Sequence, residues 1–513
     1  MEREVPVLVV GGSLVGLSTA LFLADSGVSP IVVERHPGPA IHPRAALFFQ
    51  RTVELWRSVG LEDEILGASA LEFEQNGAVM SVESLAGEEV EWFFRTVNEG
   101  VEELSPSPRL FVTQIGLEPI LRRKAQELGA EVRYSWEAVA VEEDGDGVTA
   151  TVRHRDTGEE ETIHARYIVA ADGAHSPIRE SLGIPLHGHG SFSNSITIYF
   201  RANVKPLLRD RNLSVIYVFG PRLQGFFRFS LAGDAGFLVV NKAIDEHGEL
   251  SADLWGDTGD EKCVEFVREA LGDPEIAVDV ENVQRWNASA EWAERFQAGR
   301  IFLAGDSGHV MPPTGGYGGN VGVQDAHNLA WKLAYVVRGD AGPGLLDSYD
   351  PERRPIAEEI VEQAYARYVL RLAPELGKEG LHAMADDAAI DLGYRYRSDA
   401  VAADGDGDDG LFVDPREPAA VPGVRAPHVA LESGSTIDVV GGRFVVLTGA
   451  EGWRRAADGL DLEAHLIHEP AFAEVYGPGA VLVRPDGHVG WRSDGPADGG
   501  ELRGALDRLL ARR

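Results

Sequence analysis

Residues 11 to 16 read Gly11-Gly12-Ser13-Leu14-Val15-Gly16, and Glu34-Arg35 closes the next short apolar run. Such a turn lets backbone approach a pyrophosphate: the first glycine makes the turn, the middle position stays small, and the last lets a helix sit close to a strand. Amides at the helix start would meet the phosphates with partial positive charge. Glu34 would take the ribose hydroxyls of a dinucleotide. Ser13 stands where the middle glycine is usual; it is small and could itself donate to a phosphate. A glycine-rich strand-to-helix turn with no nucleotide is the bland alternative.

Two later segments narrow the choice. Ala171-Asp172-Gly173-Ala174-His175-Ser176-Pro177 follows one apolar run, and Gly305-Asp306-Ser307-Gly308-His309 follows another. The second continues through Pro312-Pro313-Thr314-Gly315-Gly316-Tyr317-Gly318-Gly319-Asn320. A carboxylate at a strand end can hold sugar hydroxyls, and helix-start amides can stabilise a developing anion. A flavin needs both, because its ribityl chain carries hydroxyls and its reduced ring is anionic near N1. Asp172 and Asp306 could each instead cap a helix. His175 and His309 lie in these turns opposite no visible partner, so neither is read as a proton-transfer group.

The elements that must position these residues are legible. Val5 to Val10 is apolar on both faces and reads as a buried parallel strand. Leu14 to Ser26 has helical spacing and ends at Gly27, and Ile31 to Val33 completes a βαβ unit. Tyr167 to Ala171 and Arg300 to Ala304 should join the same sheet. Leu71 to Phe94 and Ser191 to Val240 alternate apolar and polar residues at period two and predict antiparallel strands of a second layer. Helices are expected over Val323 to Val337 and from Asp350 past Tyr368, with a domain boundary near Val401 to Gly410. The tail beyond it holds the runs Phe444 to Leu447 and Ala480 to Arg484 and the turn Pro485-Asp486-Gly487-His488.

Taken together, the segments resemble the FAD-dependent aromatic hydroxylases of the para-hydroxybenzoate hydroxylase family, in the polyketide-hydroxylase branch typified by tetracenomycin hydroxylase. The matching stretches are Val9 to Leu17, His42-Pro43-Arg44-Ala45, the Asp172-Gly173 segment, and Pro312 to Asn320 continuing through Gln324-Asp325-Ala326-His327-Asn328 to Lys332. The resemblance implies an α/β fold: a Rossmann-like FAD-binding domain (residues 1–72, 104–186 and 283–400), an inserted mixed or antiparallel β-sheet substrate domain (73–103 and 187–282), and a thioredoxin-like domain (410–513). It implies FAD contacts from Gly11, Ser13, Leu14, Val15, Gly16, Glu34 and Arg35 at the first turn. Arg44 and Gln114 would reach the pyrophosphate or ribityl region, Asp172 and Gly173 would serve FAD and NAD(P)H, and Asp306 would hold the ribityl chain. Pro312 and Pro313 would line the ring on the substrate side. The amides of Gly318, Gly319 and Asn320, with Gly316 nearby, would face N1 and the C2 carbonyl. Tyr199, Tyr217, Phe226 and Phe237 are candidates for the substrate pocket, although packing into the sheet core is the commoner fate of such rings.

The implied reaction is oxygenation of a polycyclic, polyketide-type phenol or quinone. NADPH or NADH, bound transiently, would reduce FAD, and O2 would add to give a C4a-hydroperoxyflavin. Baeyer–Villiger insertion beside a ketone, on the same scaffold, is the alternative; a non-catalytic flavin-binding protein is a remote one. Bulk properties exclude other classes. The chain has 513 residues, a net charge of −35 and one cysteine. One cysteine rules out an intrachain disulfide, a redox pair and a thiolate metal cluster, so the tail cannot be a redox thioredoxin and no metal is expected. The negative charge argues against nucleic acid or an anionic membrane as partner. No apolar run is long enough to cross a bilayer, and no signal peptide opens the sequence, which predicts a cytoplasmic protein; the resemblance implies a small aromatic substrate, and a monomer or homodimer is expected.

Overall fold

The computed structural model describes residues 2–41, 45–245, 247–254, 259–402, 410–460 and 462–512. The first sheet has eight strands, five of them parallel in the order Ile301–Leu303, Glu160–Ala170, Glu2–Val10, Ile31–Glu34, Glu131–Tyr134, with Gln297–Ala298 antiparallel on the outer edge of Ile301–Leu303. All four runs expected in it are there. Residues such as Val7, Val9, Val32, Ile168 and Phe302 have no accessible surface or almost none, which is why these strands read as continuous apolar runs. The hairpin Trp136–Glu143/Val148–His154 pairs antiparallel with the first half of Glu160–Ala170. Helices Leu14–Asp25 and Gly318–Arg338 pack together against this sheet.

The second sheet has nine strands. Its main path runs His309–Val310, Asp279–Ala293, Leu186–Arg201, Ala235–Ile244, Leu223–Phe229, Leu213–Phe219, Ala78–Val82, Glu89–Phe94. Pairing is antiparallel except where Ala78–Val82 lies parallel to Leu213–Phe219, so the sheet is mixed. The expected boundary between residues 282 and 283 falls inside the strand Asp279–Ala293, which stays in this sheet to its end. Leu71 and Glu72, expected to begin a strand, instead close the helix Glu62–Glu72.

Helix Gly318–Arg338 starts five residues before the expected Val323. The glycines that read as loop are there for closeness. A β-carbon on Gly319 would stand 3.0 Å from that of Ala45, and one on Gly322 would stand 2.6 Å from Cγ2 of Val15. Helix Tyr349–Arg371 follows as expected, with Pro351 in its first turn.

The tail is a four-stranded sheet in the order Glu463–Leu466, Val445–Thr448, Ala480–Val483, Val489–Ser493. A parallel βαβ half is followed by an antiparallel ββα half, the thioredoxin-like layout, with helices Glu451–Asp458, Pro470–Tyr476 and Gly499–Leu509. Val445, Leu447, Val481 and Val483 fill that domain's own core, while Val446 and Leu482 on the opposite face join the core of the first domain. Most of the expected boundary segment, residues 403–409, lies outside the described residues.

Candidate active site

The first strand ends at Gly11, whose φ of 105° suits glycine. A β-carbon at Gly16 would drive into the Gly11 carbonyl, so this glycine is what allows the helix to begin so close to the turn. Gly12 N donates to Glu34 Oε2 at 2.6 Å; Glu34 Oε1 accepts from His36 N at 2.8 Å and lies 2.6 Å from His36 Nδ1. Glu34 thus braces the turn. Arg35 is exposed, with its carbonyl accepting from Arg155. Ser13 does not point its proton at a phosphate position. It donates to Glu118 Oε1 at 2.6 Å and accepts from Gln114 Nε2 at 3.1 Å. Gln114 Oε1 takes Ala45 N at 3.2 Å. Glu118, fully buried, also takes Ala40 N at 2.7 Å. The sequence reading missed Glu118, which ties three chain segments beneath the turn; its position one helical turn after Gln114 was the available signal. Arg44 lies outside the described residues.

The second and third segments meet beside this turn. Asp172 Oδ2 accepts from Ile178 N at 3.2 Å, the capping contact weighed above, although the N-cap itself is Ser176. Asp172 Oδ1 is buried with no protein partner, and burial pushes this carboxyl above its ordinary pKa. Gly173 has φ of 87°. Arg179 donates to Ala174 O at 3.0 Å and Ser307 O at 3.1 Å, stitching the two segments together. Asp306 is exposed in the short 3-10 turn Gly305–Ser307. Val15 fills the space left by Gly305 and Gly322, so the first turn, the Asp306 turn and the following helix meet at one side chain.

His175 is exposed, but His309 does have a partner. Its Nε2 lies 2.7 Å from Asp325 Oδ2, and both side chains are fully buried. Asp325 also accepts from Gly305 N at 3.0 Å and Arg353 Nε at 2.7 Å. Burial raises the Asp325 pKa, but Arg353 and His309 outweigh it and hold the carboxyl below its ordinary value. His309 therefore fixes the Asp306 turn to the following helix. A sequence pass cannot see a partner 16 residues away across a turn.

That helix begins inside the glycine-rich segment. Gly315 and Gly316 have φ of 96° and 74°. The first intrahelical bond runs from Val321 N to Tyr317 O, which leaves the amides of Gly318, Gly319 and Asn320 free of helical partners. The Asn320 side chain accepts from Phe49 N at 2.9 Å and donates to Leu47 O at 3.0 Å, pinning the Leu47–Phe49 segment beside the helix start. Pro312 is buried and Pro313 exposed.

Period-two alternation divides the aromatic residues of the second sheet. Phe200 and Phe227 face the helix Asp260–Leu271 and are fully buried. Tyr199, Tyr217, Phe226 and Phe237 share the opposite face, half-buried, with ring centroids about 6 Å apart along the series. Arg371, at the end of helix Tyr349–Arg371, lies over Phe93 and interacts with Tyr217. Apolar surroundings push the Tyr217 phenol upward, against the pull of Arg371. Arg228, on the Phe226 face, is held between Phe73 and Phe111 at 3.8 and 3.7 Å, with Nε and Nη2 unpartnered. Burial pushes its pKa well below the usual guanidinium value.

Among the described residues no cluster of His, Cys, Asp or Glu could hold a metal ion, and no helix is long and apolar enough to cross a membrane. The site fits FAD: a turn whose three glycines admit no β-carbon, three helix-start amides without helical partners, and a buried carboxylate oxygen lacking a partner. Residues 4–364 match the family model of an FAD binding domain, and residues 419–512 match that of the C-terminal part of aromatic-ring hydroxylases. The chain is 48% identical to a 4-methyl-5-nitrocatechol 5-monooxygenase of Burkholderia sp, over 100% of this chain and 98% of that protein. It is 38% identical to a tetracenomycin A2 monooxygenase-dioxygenase of Streptomyces glaucescens, over 99% and 97%. The structure of an aklavinone-11 hydroxylase in ternary complex with FAD and aklavinone superposes with a TM-score of 0.92 at 36% identity, covering 99% of both chains. The chain belongs to the FAD-dependent aromatic-ring hydroxylases and is a flavin-dependent monooxygenase.

Proposed function

We propose that the protein uses NADPH or NADH and O2 to hydroxylate a phenolic or quinonoid aromatic ring lying between the open face of the second sheet and the flavin. The half-buried row Tyr199, Tyr217, Phe226 and Phe237 carries this reading, because a flat apolar floor beside a flavin suits a flat aromatic substrate. Flavin supplies hydride acceptance and the activation of O2. The chain's own residues do the rest. The Gly11–Gly16 turn and Glu34 bind the adenosine diphosphate half. Asp172 and Asp306 hold hydroxyls or phosphate-side groups. The amides of Gly318, Gly319 and Asn320 offset negative charge on the ring, and Pro312 and Pro313 border it. The aromatic face and helix Tyr349–Arg371 exclude water, which protects the oxygenating species from unproductive breakdown to H2O2. The Tyr217 hydroxyl, kept protonated, would donate to a substrate oxygen.

The length of this floor supports a polycyclic, polyketide-type substrate, and two relatives are named as putative polyketide hydroxylases. A single-ring nitrocatechol is a second reading, favoured by the 48% identical relative and by the buried Arg228 guanidinium on the same face, whose Nε and Nη2 have no partner, since nitrocatechols are largely anionic at neutral pH. One experiment tests both. NADPH and NADH oxidation and H2O2 release are followed with panels of polycyclic phenols, quinones and nitrocatechols, and products are identified by mass and NMR. Stimulated oxidation with little H2O2 and a hydroxylated product supports the proposal and selects the ring class. A ring-expanded ester or lactone would show Baeyer–Villiger insertion instead, and no stimulation by any panel would overturn the proposed substrate classes.

A further inference from the structure

The tail lacks redox cysteines, yet its contact with the first domain is the most heavily charged buried region of the described structure. It centres on the turn Pro485 to His488. Arg484 donates to Glu352 Oε1 at 2.6 Å and Oε2 at 2.8 Å and pairs with Asp486. Glu352 takes Lys332 Nζ at 2.7 Å and Asn328 Nδ2 at 2.8 Å; Asp486 takes Asn328 Nδ2 and Trp331 Nε1, each at 3.2 Å. The side chains of Arg484, Glu352 and Lys332 are completely inaccessible and that of Asp486 nearly so. Asn328, Trp331 and Lys332 all belong to the helix whose first amides face the flavin position.

The tail grips a second element as well. The Asp486 carbonyl accepts from Arg51, and Arg425 forms a two-pronged pair with Glu54. Arg51 and Glu54 lie on helix Gln50–Ser58, which starts directly after Phe49, and Phe49 is the residue Asn320 pins to the flavin-facing helix start. The two helices that meet at the Asn320–Phe49 bond are therefore each held by the same face of the tail. Buried ion pairs are seldom a net gain in stability over apolar packing, so their concentration here calls for another role, and fixing relative geometry is the best attested.

We infer that the thioredoxin-like domain is a clamp for the flavin site, with Asp486, Arg484 and Arg425 as positioning residues that set the Gly318–Asn320 helix start against Leu47–Phe49. The inference rests on that helix start facing the flavin ring. No electron passes through the clamp; it acts through two rigid helices. Loosening it should leave the chain folded while the amides drift from the flavin.

The test uses the full-length chain as wild type, Asp486→Asn, Arg425→Gln and Arg425→Lys. Ile467→Val, in the tail's own core and away from the clamp, serves as the comparison. Each is followed by thermal unfolding, by FAD titration of the apoprotein, and by hydrogen exchange of the peptides spanning residues 45–50 and 314–323. The clamp predicts that Asp486→Asn and Arg425→Gln weaken FAD binding on the order of three- to thirtyfold, the range of long-distance coupling through packed networks. Exchange in both peptides should quicken, Arg425→Lys should recover part of the effect, and Ile467→Val should lower the melting temperature only. Clamp variants that shift the melting temperature as Ile467→Val does, with FAD affinity and both exchange rates at wild-type values, would overturn the clamp. A wild-type apoprotein that takes up no FAD would instead overturn the flavin site on which it rests.

Discussion

Gly322→Ala measures how tightly the helix proposed to face the flavin is seated. In an open helix the change should help, because alanine outranks glycine by about 1 kcal/mol in helix propensity. At Gly322 the new β-carbon would stand 2.6 Å from Val15 Cγ2 and 3.3 Å from the Gly305 α-carbon. Carbon atoms pack at roughly 3.5–4.0 Å, so one side must yield by about 1 Å. Val15 is β-branched and stiff, lying in the first turn of the helix that follows the pyrophosphate turn, and Gly305 leads into the Asp306 turn. Relief therefore moves at least one motif proposed to face FAD. Overpacking of this kind costs about 1–3 kcal/mol, and the propensity gain offsets part of it. If most of the remainder, about 1 kcal/mol at mid-range and about 2 at most, falls on the holo geometry, FAD affinity drops about fivefold and at most about 30-fold, at ~1.4 kcal/mol per factor of ten. Gly67→Ala is the matched comparison: Gly67 lies mid-helix, exposed, with nothing within 4 Å of a β-carbon, so stability should rise by about 0.5–1 kcal/mol with FAD binding unchanged. Quenching of flavin fluorescence gives the affinity and thermal unfolding the stability. If Gly322→Ala behaves like Gly67→Ala in both assays, the packing of Gly305 and Gly322 on Val15 is not what seats the cofactor.

The two faces of the second sheet should separate stability from turnover. Phe227→Ala empties a fully buried site and should cost about 3–5 kcal/mol in denaturant unfolding. Phe226→Ala, one residue away on the open face, should cost far less and instead raise KM and the H2O2 fraction; equal losses of stability would refute the assignment of faces. Ser13→Gly restores the commoner glycine at the pyrophosphate turn, yet it strips the buried Glu118 of its 2.6 Å donor, so it should destabilise by roughly 1–3 kcal/mol rather than stabilise. Burial raises the Asp391 carboxyl to about 7 from 3.8, and its Oδ2 has no partner. The folded state then holds a proton that the unfolded chain gives up, so this group lowers stability progressively from about pH 4 to pH 7, after which the loss levels off. Asp391→Asn should flatten that slope and melt higher than wild type at pH 8; parallel melting profiles for the two proteins would refute the assignment.

Much of the fold was legible because its signals are local. The strand Glu2–Val10 and its parallel neighbours are buried on both faces, so their composition alone declares them. The second sheet alternates because one face meets a helix and the other stays open, and the same alternation that predicts strands cannot say which face is which. That is why Phe226 and Phe227 were indistinguishable before the helix Asp260–Leu271 was placed behind one of them. Where glycines served packing rather than turning, the reading slipped: Gly318, Gly319 and Gly322 read as loop, but they are the first residues of a helix that must approach Leu14, Val15 and Ala45 closely. A glycine's reason lies in what stands opposite it, and that is a tertiary fact.

The site divides along the same line. Gly11, Gly16, Glu34 and Asp172 stand out in the sequence, because each would act through backbone geometry or a charge at a strand end. Their supports do not. Glu118 under Ser13, Asp325 beside His309, and Glu352 between Lys332 and Arg484 are ordinary acidic residues in a chain with 82 of them. What distinguishes them is complete burial with several donors apiece, a condition set by chain segments up to 132 residues apart. A buried carboxylate tolerates few geometries, since each donor lost leaves charge uncompensated in a medium of low polarity. The supports therefore restrict motion more than they add stability. For a site that must hold a flavin ring against a flat substrate while excluding water, restricted motion is what coupled oxygenation requires.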